Sequence, residues 1–496
     1  MWKPRFFLAG ILIFSFCLSF PFLQAQNNDD AIRYGQTEIG GSARFIGMSG
    51  SFGALGADPS GASVNPGGWG VFRRGMSSAG LAVTGQSHTT EHYGSTKSAS
   101  GSGVRLSHLD VVFSGPFQTT DFKGGTFAFG YKNKNDFYSH IVSEGVNNES
   151  SYLDRYLLDV VEEPGLFVED IVAYFPFGAG LAWGAELLDT ANGEYYHANP
   201  WYGQVQGRRE EAMRGMSDFY LGAGTNFQNK LYLGATLGFS SIRYQNKWTY
   251  YEILPEDDTN SVLRSWKEVT ELSTAGTGFY FKLGAIFHLS KQWRAGLAFN
   301  SQERFRLSDN YTARIDAHWK NKSPSFAESP KGYNQYRYYS PYKFVGSLAW
   351  VRYKVGSVNL DVEYVDYTSM RYASTTGFEM DFSDANTEID TTFQATFNYR
   401  LGSEWVFGPL SWRVGGSYWG NPYRQSGKNR SQWGASVGVG YKYEKLFFDL
   451  GYSFARRENS QQYLHYSEGV KLEPTRVDRN FHQVVLTFGF RFEEYL

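Results

Sequence analysis

From about Ser77 onward, apolar positions alternate with small or polar ones in segment after segment. Phe219, Leu221 and Ala223 oppose Tyr220, Gly222 and Gly224, and Leu231, Leu233, Ala235, Leu237 and Phe239 oppose Tyr232, Gly234, Thr236 and Gly238. The pattern returns over 279–287, 293–300, 358–364, 393–400 and 433–442, and in a last segment from Val484 to Phe492. A strand sends successive side chains to opposite faces, so a period of two kept up this long excludes a helical protein. One large apolar face and one small or charged face suit a sheet between lipid and a polar lumen. Further segments near 77–91, 101–115, 123–134, 341–353, 409–421 and 446–458 bring the count to about fourteen, even as single-chain bacterial barrels require. The pattern therefore predicts an all-β fold, a transmembrane antiparallel β-barrel over 76–496.

The links between strands set its polarity. Gln228-Asn229-Lys230 and Lys354-Val355-Gly356 read as short periplasmic turns, and the long intervals near 135–215, 245–270, 301–340 and 459–477 as extracellular. The first of these is an insertion in which Tyr152, Leu153, Tyr156, Leu157, Val160 and Val161 fall at helical spacing behind a serine cap, followed by apolar residues to Leu188. A helical cover over the barrel mouth is expected there. Trp293, Trp350, Tyr364, Trp412 and Trp433 stand at strand ends and suit interfacial girdles.

Composition agrees once the alternation is known. Mean hydropathy is -0.42 although 18% of residues are aromatic, as expected where the apolar signal occupies every second position. Lys3 and Arg5 precede an apolar run from Phe6 to Leu23, with Ala25 as a small residue at the cut, so 1–25 reads as a secretory signal peptide and the barrel as a protein of the Gram-negative outer membrane. The single cysteine, Cys17, lies inside that leader, which removes disulfides and cysteine metal sites from the mature chain. A formal charge of -2 does not point to nucleic acid as a partner. The nine histidines lack metal-binding spacing, and no metal or cofactor is expected. Ser107 and His108 are adjacent, hence on opposite faces of a regular strand, which removes the most tempting catalytic dyad. No catalytic residue is assigned.

A sheet of fourteen strands encloses more space than its side chains fill. The candidate plug, or hatch, is 26–75: small and apolar from Gly40 to Asp58, then Asn65-Pro66-Gly67-Gly68-Trp69-Gly70-Val71-Phe72. Met48, Phe52, Leu55, Trp69 and Phe72 are its candidate ligand-facing residues, and Met48, Phe52 and Leu55 would align if a helical turn formed. Charges predicted to face the lumen include Lys282, Arg294, Asp361, Glu363, Arg400, Arg413, Lys442 and Asp449. They read as a ladder holding the plug, with Arg400 and Arg413 the obvious anchors for a ligand carboxylate.

Gly41-Ser42-Ala43-Arg44, Gly53-Ala54-Leu55-Gly56-Ala57-Asp58-Pro59-Ser60 and Asn65-Pro66 resemble the hatch signature of the FadL-type (OMPP1/FadL/TodX) transporters of hydrophobic compounds, with Arg44, Asp58, Asn65 and Pro66 as the motif residues. Similar runs are Asn229–Tyr244, Ser340–Phe344 and Asp361–Tyr367, so the resemblance covers the mature chain. It implies a fourteen-strand barrel plugged by its N-terminal domain. It also implies passive uptake of hydrophobic small molecules, such as long-chain fatty acids or aromatic solutes, with lateral release into membrane lipid. The other reading within the superfamily is a secretion-system or protein-binding adaptor. The aromatic closing strand is the expected signal to the barrel-assembly machinery. One departure is Gly67, where the family usually has Ala after Asn-Pro.

Overall fold

The alternation closes into a ring in the structure, a computed structural model describing residues 28–117, 121–199, 201–257, 261–377, 380–424, 429–462 and 473–492. The predicted leader lies outside the described residues, as does part of the 459–477 interval. The wall strands are β1 (Met76–His92), β2 (Ser95–Gly115), β3 (Phe122–Asp136), β4 (Gln204–Phe227), β5 (Leu231–Ile253), β6 (Leu263–His288) and β7 (Trp293–Asn300). They continue as β8 (Lys343–Arg352), β9 (Gly356–Asp366), β10 (Ala395–Phe407), β11 (Leu410–Trp419), β12 (Gln432–Tyr443), β13 (Leu446–Gln462) and β14 (Thr475–Arg491). Each pairs antiparallel with its sequence neighbours, and β14 returns to β1 with Val484 opposite Val83 and Phe488 opposite Ala79. Closure leaves the ring without the free edges of an open sheet, except at one break described below.

Short turns gather at one end. The turn between β4 and β5 places Gln228 and Asn229 at φ 51° and 58°, the left-handed region that a tight hairpin demands. Leu233, Leu237, Phe239, Phe281, Leu283, Phe397, Leu401, Val437, Leu486 and Phe488 form an exposed apolar belt on the outer face. An apolar surface running round a whole ring is one that lipid covers. No described helix is long and apolar enough to cross a membrane. Trp293, Trp350 and Trp412 lie at the turn end of the belt, Tyr364 and Trp433 at the loop end.

At the loop end the expectation of long loops needs correction. β5 and β6 run on beyond the belt, and 301–340 holds the strands Arg304–Trp319, Ser325–Glu328 and Gly332–Tyr339, which extend the wall beyond kinks at 301–303 and 340–342. Their outward residues, among them Arg243, Lys247, Arg306 and Arg337, are polar because that face meets water, so the greasy alternation stops while the ladder continues. The insertion does form a helix, Tyr152–Val161. Ser151 Oγ accepts from the Leu153 amide (3.2 Å) and Asp154 Oδ2 from the Ser151 amide (2.7 Å), a reciprocal cap. Tyr152, Leu153, Tyr156 and Val160 pack inward on Tyr250, Trp266 and Ile315, covering the inner side of the upper wall.

Candidate functional site

The floor of the lumen is the hatch, held by its motif residues. Asn65 caps the turn Pro66–Val71 through Oδ1 to the Gly67 amide (2.9 Å), while its Nδ2 donates to the Gly53 carbonyl (2.6 Å) and to Ala285 of β6 (3.1 Å). Asp58 accepts from Ser42 Oγ and from the amides of Ser60 (2.9 Å) and Gly61 (3.2 Å), closing the hatch on itself. Arg44 reaches out as a fork to Glu404 of β10, at 2.9 and 3.0 Å. Arg413 donates to the same Glu404 (2.7 Å) and to Asp449 (2.6 Å). Asp361 accepts from the amides of Phe52 and Gly53, both at 3.0 Å, and Arg400 lies between Asp361 and Glu363. Lys282 and Arg294 donate to the hatch carbonyls of Ser63 (2.9 Å) and Leu55 (3.0 Å). Arg400 is thus neutralised by Asp361 and Glu363, and Arg413 by Glu404 and Asp449, while Asp361 binds the hatch to the wall; of the eight charges singled out from sequence, Lys282, Glu363 and Arg400 also border a lumenal cavity.

Close seating explains Gly67. A Cβ there would stand 2.8 Å from the Ala285 carbonyl carbon, so the alanine usual after Asn-Pro has no room. Across the interface, a Cβ on Gly234 would stand 1.9 Å from the Pro66 oxygen.

The five candidate ligand residues lie inside this interface. Met48, Phe52 and Leu55 pack with Phe45, Ala54 and Val64 against Ala298, Val345 and Ala349 of the wall. The predicted continuous helical turn does not form: the helix α1 (Ala43–Gly47) ends at Met48, and the chain reverses at Ser49 and Gly50, at φ 50° and 73°. Trp69 stacks between Phe72 and Tyr220 and donates Nε1 to Thr236 (2.9 Å). None of the five lines either lumenal cavity above the hatch.

The larger of those cavities is bounded by groups not among the lumen charges singled out from sequence. The first described residues of the 26–75 segment, Asn28–Gly35, form a helix in the lumen, with Ala31, Ile32 and Tyr34 packed among Phe137, Tyr244, Tyr338 and Met370. Beside it lies a cavity of 170 Å³ whose apolar lining includes Ile32, Ile39, Phe137, Ile141 and Phe481. Its polar lining includes Arg430, Arg457, Arg479, Gln86 and His88, with the carboxylates of Glu38, Asp136 and Glu210. Arg479 pairs with Glu38 (2.8 Å), but among the described residues neither Arg430 nor Arg457 has a carboxylate partner. Arg430 Nη1 and Arg457 Nε are buried without a hydrogen-bond partner. A smaller cavity of 90 Å³ over the hatch is lined by Lys132, Lys134, Lys282 and Lys343 with Asp218, Glu303 and Glu363.

The larger cavity adjoins the break in the wall. The β2–β3 ladder ends at His108 opposite Lys132, and β2 from Ser95 to Ser107 pairs only with β1. Beyond a kink at Phe137, the chain continues as Ser139–Asn147, paired to β4 and lying against the inner side of β1, where Thr90 donates to the Val142 carbonyl (2.6 Å). The Arg105–Asp136 ion pair and the Tyr138 ring, against Gly101, fill the break. A bulge opposite Gly80 and Leu81 corrects the Ser107-His108 argument: both side chains are buried, because an extra residue cancels the alternation. Ser107 donates instead to the Gly41 carbonyl (2.6 Å), so no dyad forms.

The geometry defines a transmembrane β-barrel sealed by an N-terminal hatch, with an amphipathic cavity beside an interruption of its wall. No family model and no curated protein matches the sequence. Among solved structures, the fold is that of the toluene transporter TodX of Pseudomonas putida (14% identity, TM-score 0.53, covering 92% of this chain and 100% of that one). A FadL homologue of Pseudomonas aeruginosa aligns at 11% identity and TM-score 0.54, over 92% and 99% of the two chains. The toluene transporter TbuX of Ralstonia pickettii aligns at 14% and 0.50, over the same shares.

Proposed function

We propose that this chain is an outer-membrane channel for passive uptake of hydrophobic compounds, and that its preferred solute is an amphiphile with an anionic head, such as a long-chain fatty acid. The observation that carries the reading is the larger lumenal cavity, lined by apolar side chains together with two arginines that have no carboxylate partner among the described residues. A buried guanidinium without a counter-charge is costly, and a ligand carboxylate supplies what it lacks. The sealed hatch blocks a straight path through the lumen, so the break between β2 and β3 serves as the exit into lipid. Two of the similar structures are named toluene transporters, which supports a hydrophobic cargo. The long-loop end faces outward and the turn end the periplasm, and the closing strand β14 is the part the barrel-assembly machinery would read.

The test is uptake of labelled long-chain fatty acid and of labelled toluene by cells carrying the wild-type barrel or Arg430→Gln/Arg457→Gln, normalised to surface-exposed, heat-modifiable protein. Fatty-acid uptake should fall about tenfold while toluene entry holds. Equal loss of both, or of neither, would reject the anionic preference. No gene-dependent uptake of either would leave the protein-binding adaptor as the better reading.

A further inference from the structure

Charges on the outer face of the wall fall into two zones. Far above the belt, basic groups of β5, β6 and the Arg304–Trp319 strand have acidic neighbours: Lys247 with Glu271 (2.8 Å), and Arg314 and Lys267 with Asp316 (2.7 and 3.6 Å). Directly above the belt the partners stop. Arg304 stands opposite Phe279, the upper end of the outward row Phe279, Phe281 and Leu283. Arg306 stands one outward position higher, directly opposite Arg337, and Arg243 lies nearby on β5. All four are exposed. Among the described residues, Arg243, Arg304 and Arg306 make no side-chain hydrogen bond or ion pair, and Arg337 only donates to the Ser374 carbonyl (2.9 Å). Arg371, on the neighbouring strand, is neutralised by Asp390 (2.9 Å) and is not part of the group.

Like charges directly opposite each other destabilise a sheet, so Arg306 against Arg337 costs stability unless an anion lies between them. Local packing keeps the pair in place. Phe305, Tyr336 and Tyr338 alternate with these arginines and are buried in the upper lumen, with Phe305 stacked on Tyr338 at 6.1 Å. The alternation therefore directs both guanidinium groups outward at the level where acyl chains give way to headgroups. Guanidinium forks match phosphate oxygens two at a time, and the aromatic face below, with Phe239 and Phe279 at 5.6 Å and Phe281 and Phe299 at 6.0 Å, suits acyl chains.

We infer that Arg304, Arg306, Arg337 and Arg243 form a binding site on the lipid-facing wall for the headgroup phosphate of an outer-leaflet lipid, its acyl chains lying along the Phe239–Phe279–Phe281 face. The site rests on the barrel spanning a bilayer and not on what passes through the lumen, so its failure would leave the transport reading untouched.

The experiment is native mass spectrometry of the full-length barrel in detergent, titrated with phosphorylated lipid A, with the same lipid stripped of phosphate, and with inorganic phosphate. The phosphorylated lipid should be retained, and Arg306→Gln/Arg337→Gln should weaken it about thirtyfold. Lys247→Gln, on the same face but paired with a carboxylate, should not change it. Heat-modifiable mobility checks folding, and Arg337→Gln alone serves if the double variant fails to assemble. Equal binding by wild type and arginine variant, or equal binding of the dephosphorylated lipid, would overturn the site. Displacement of the lipid by equimolar inorganic phosphate would show a free-anion site and overturn the lipid assignment.

Discussion

At the scale of single residues, glycine decides how the lumen is filled. Glycine on the inner face of a strand looks, in sequence, like an unremarkable small residue beside a pore. In this barrel some of those positions are where hatch backbone lies on wall backbone, and Gly234 is the tightest against a carbonyl, with 1.9 Å between a built Cβ and the Pro66 oxygen. Gly85, also on the wall, has nothing within 4 Å of the same point. Gly234→Ala should therefore unseat the Asn65–Trp69 turn at a cost of about 1–3 kcal/mol, typical of overpacking, while Gly85→Ala should cost little. Limited proteolysis of folded protein, read as cleavage within 40–72, separates them. Equal protection in both variants would mean that the hatch can shift to absorb a methyl group. The same close contact explains why Gly67 departs from the Asn-Pro-Ala pattern, a departure that sequence could register but not interpret.

At the scale of elements, the helix Tyr152–Val161 was legible because its apolar spacing and serine cap are local signals. Its partner on the other side was not, because Asp154 meets His197 Nε2 (2.8 Å) and Tyr202 Oη (3.0 Å) only after folding. Burial pushes the Asp154 carboxyl up, but the hydrogen bonds from His197 and the Ser151 amide outweigh it and hold the pKa below its ordinary 3.8. A carboxylate depressed in the folded state contributes stability that is complete above its unfolded pKa and is lost as pH falls through the folded one. The cap should therefore loosen below about pH 4 and stay unchanged by this group at neutral pH. Hydrogen exchange over 152–161 as pH is lowered, corrected for intrinsic rates, is the measurement. Asp154→Asn should abolish the acid-dependent part, and Ser151→Ala should cost about 1 kcal/mol at every pH. An acid response that survives in Asp154→Asn would place the titrating group elsewhere.

At the scale of the whole molecule, the fourteen wall strands could be read because lipid imposes one rule on every outward position within the belt. Above the belt that rule lapses, and the continuations of β5, β6 and the Arg304–Trp319 strand read as loops although their ladders are unbroken. The hatch was recognisable from composition and motif. The cavity was not: Arg457 and Arg479 meet as cross-strand neighbours on β13 and β14 with Arg430 just before β12, but the groups that enclose them, Ile32, Glu38 and Phe137 among them, come from the other end of the sequence. The belt itself can be tested along a single strand. Leu237 and Gln245 of β5 share its outer face, the first within the belt opposite Phe281 and Leu221, the second above it opposite Ser273 and Met213. Arginine at a lipid-facing midplane position costs about 2–4 kcal/mol and near an interface about 0–1, because only the first must lose its hydration. Leu237→Arg should therefore lower the detergent-to-lipid folding free energy by the larger amount and Gln245→Arg by the smaller. A lumen position is no substitute control here: Thr236 accepts the Trp69 indole, so arginine there would disturb the hatch instead of probing lipid. Equal penalties at 237 and 245 in reversible vesicle-folding measurements would place the hydrocarbon boundary above Gln245, and with it the arginines opposite and beneath that level would fall inside the membrane.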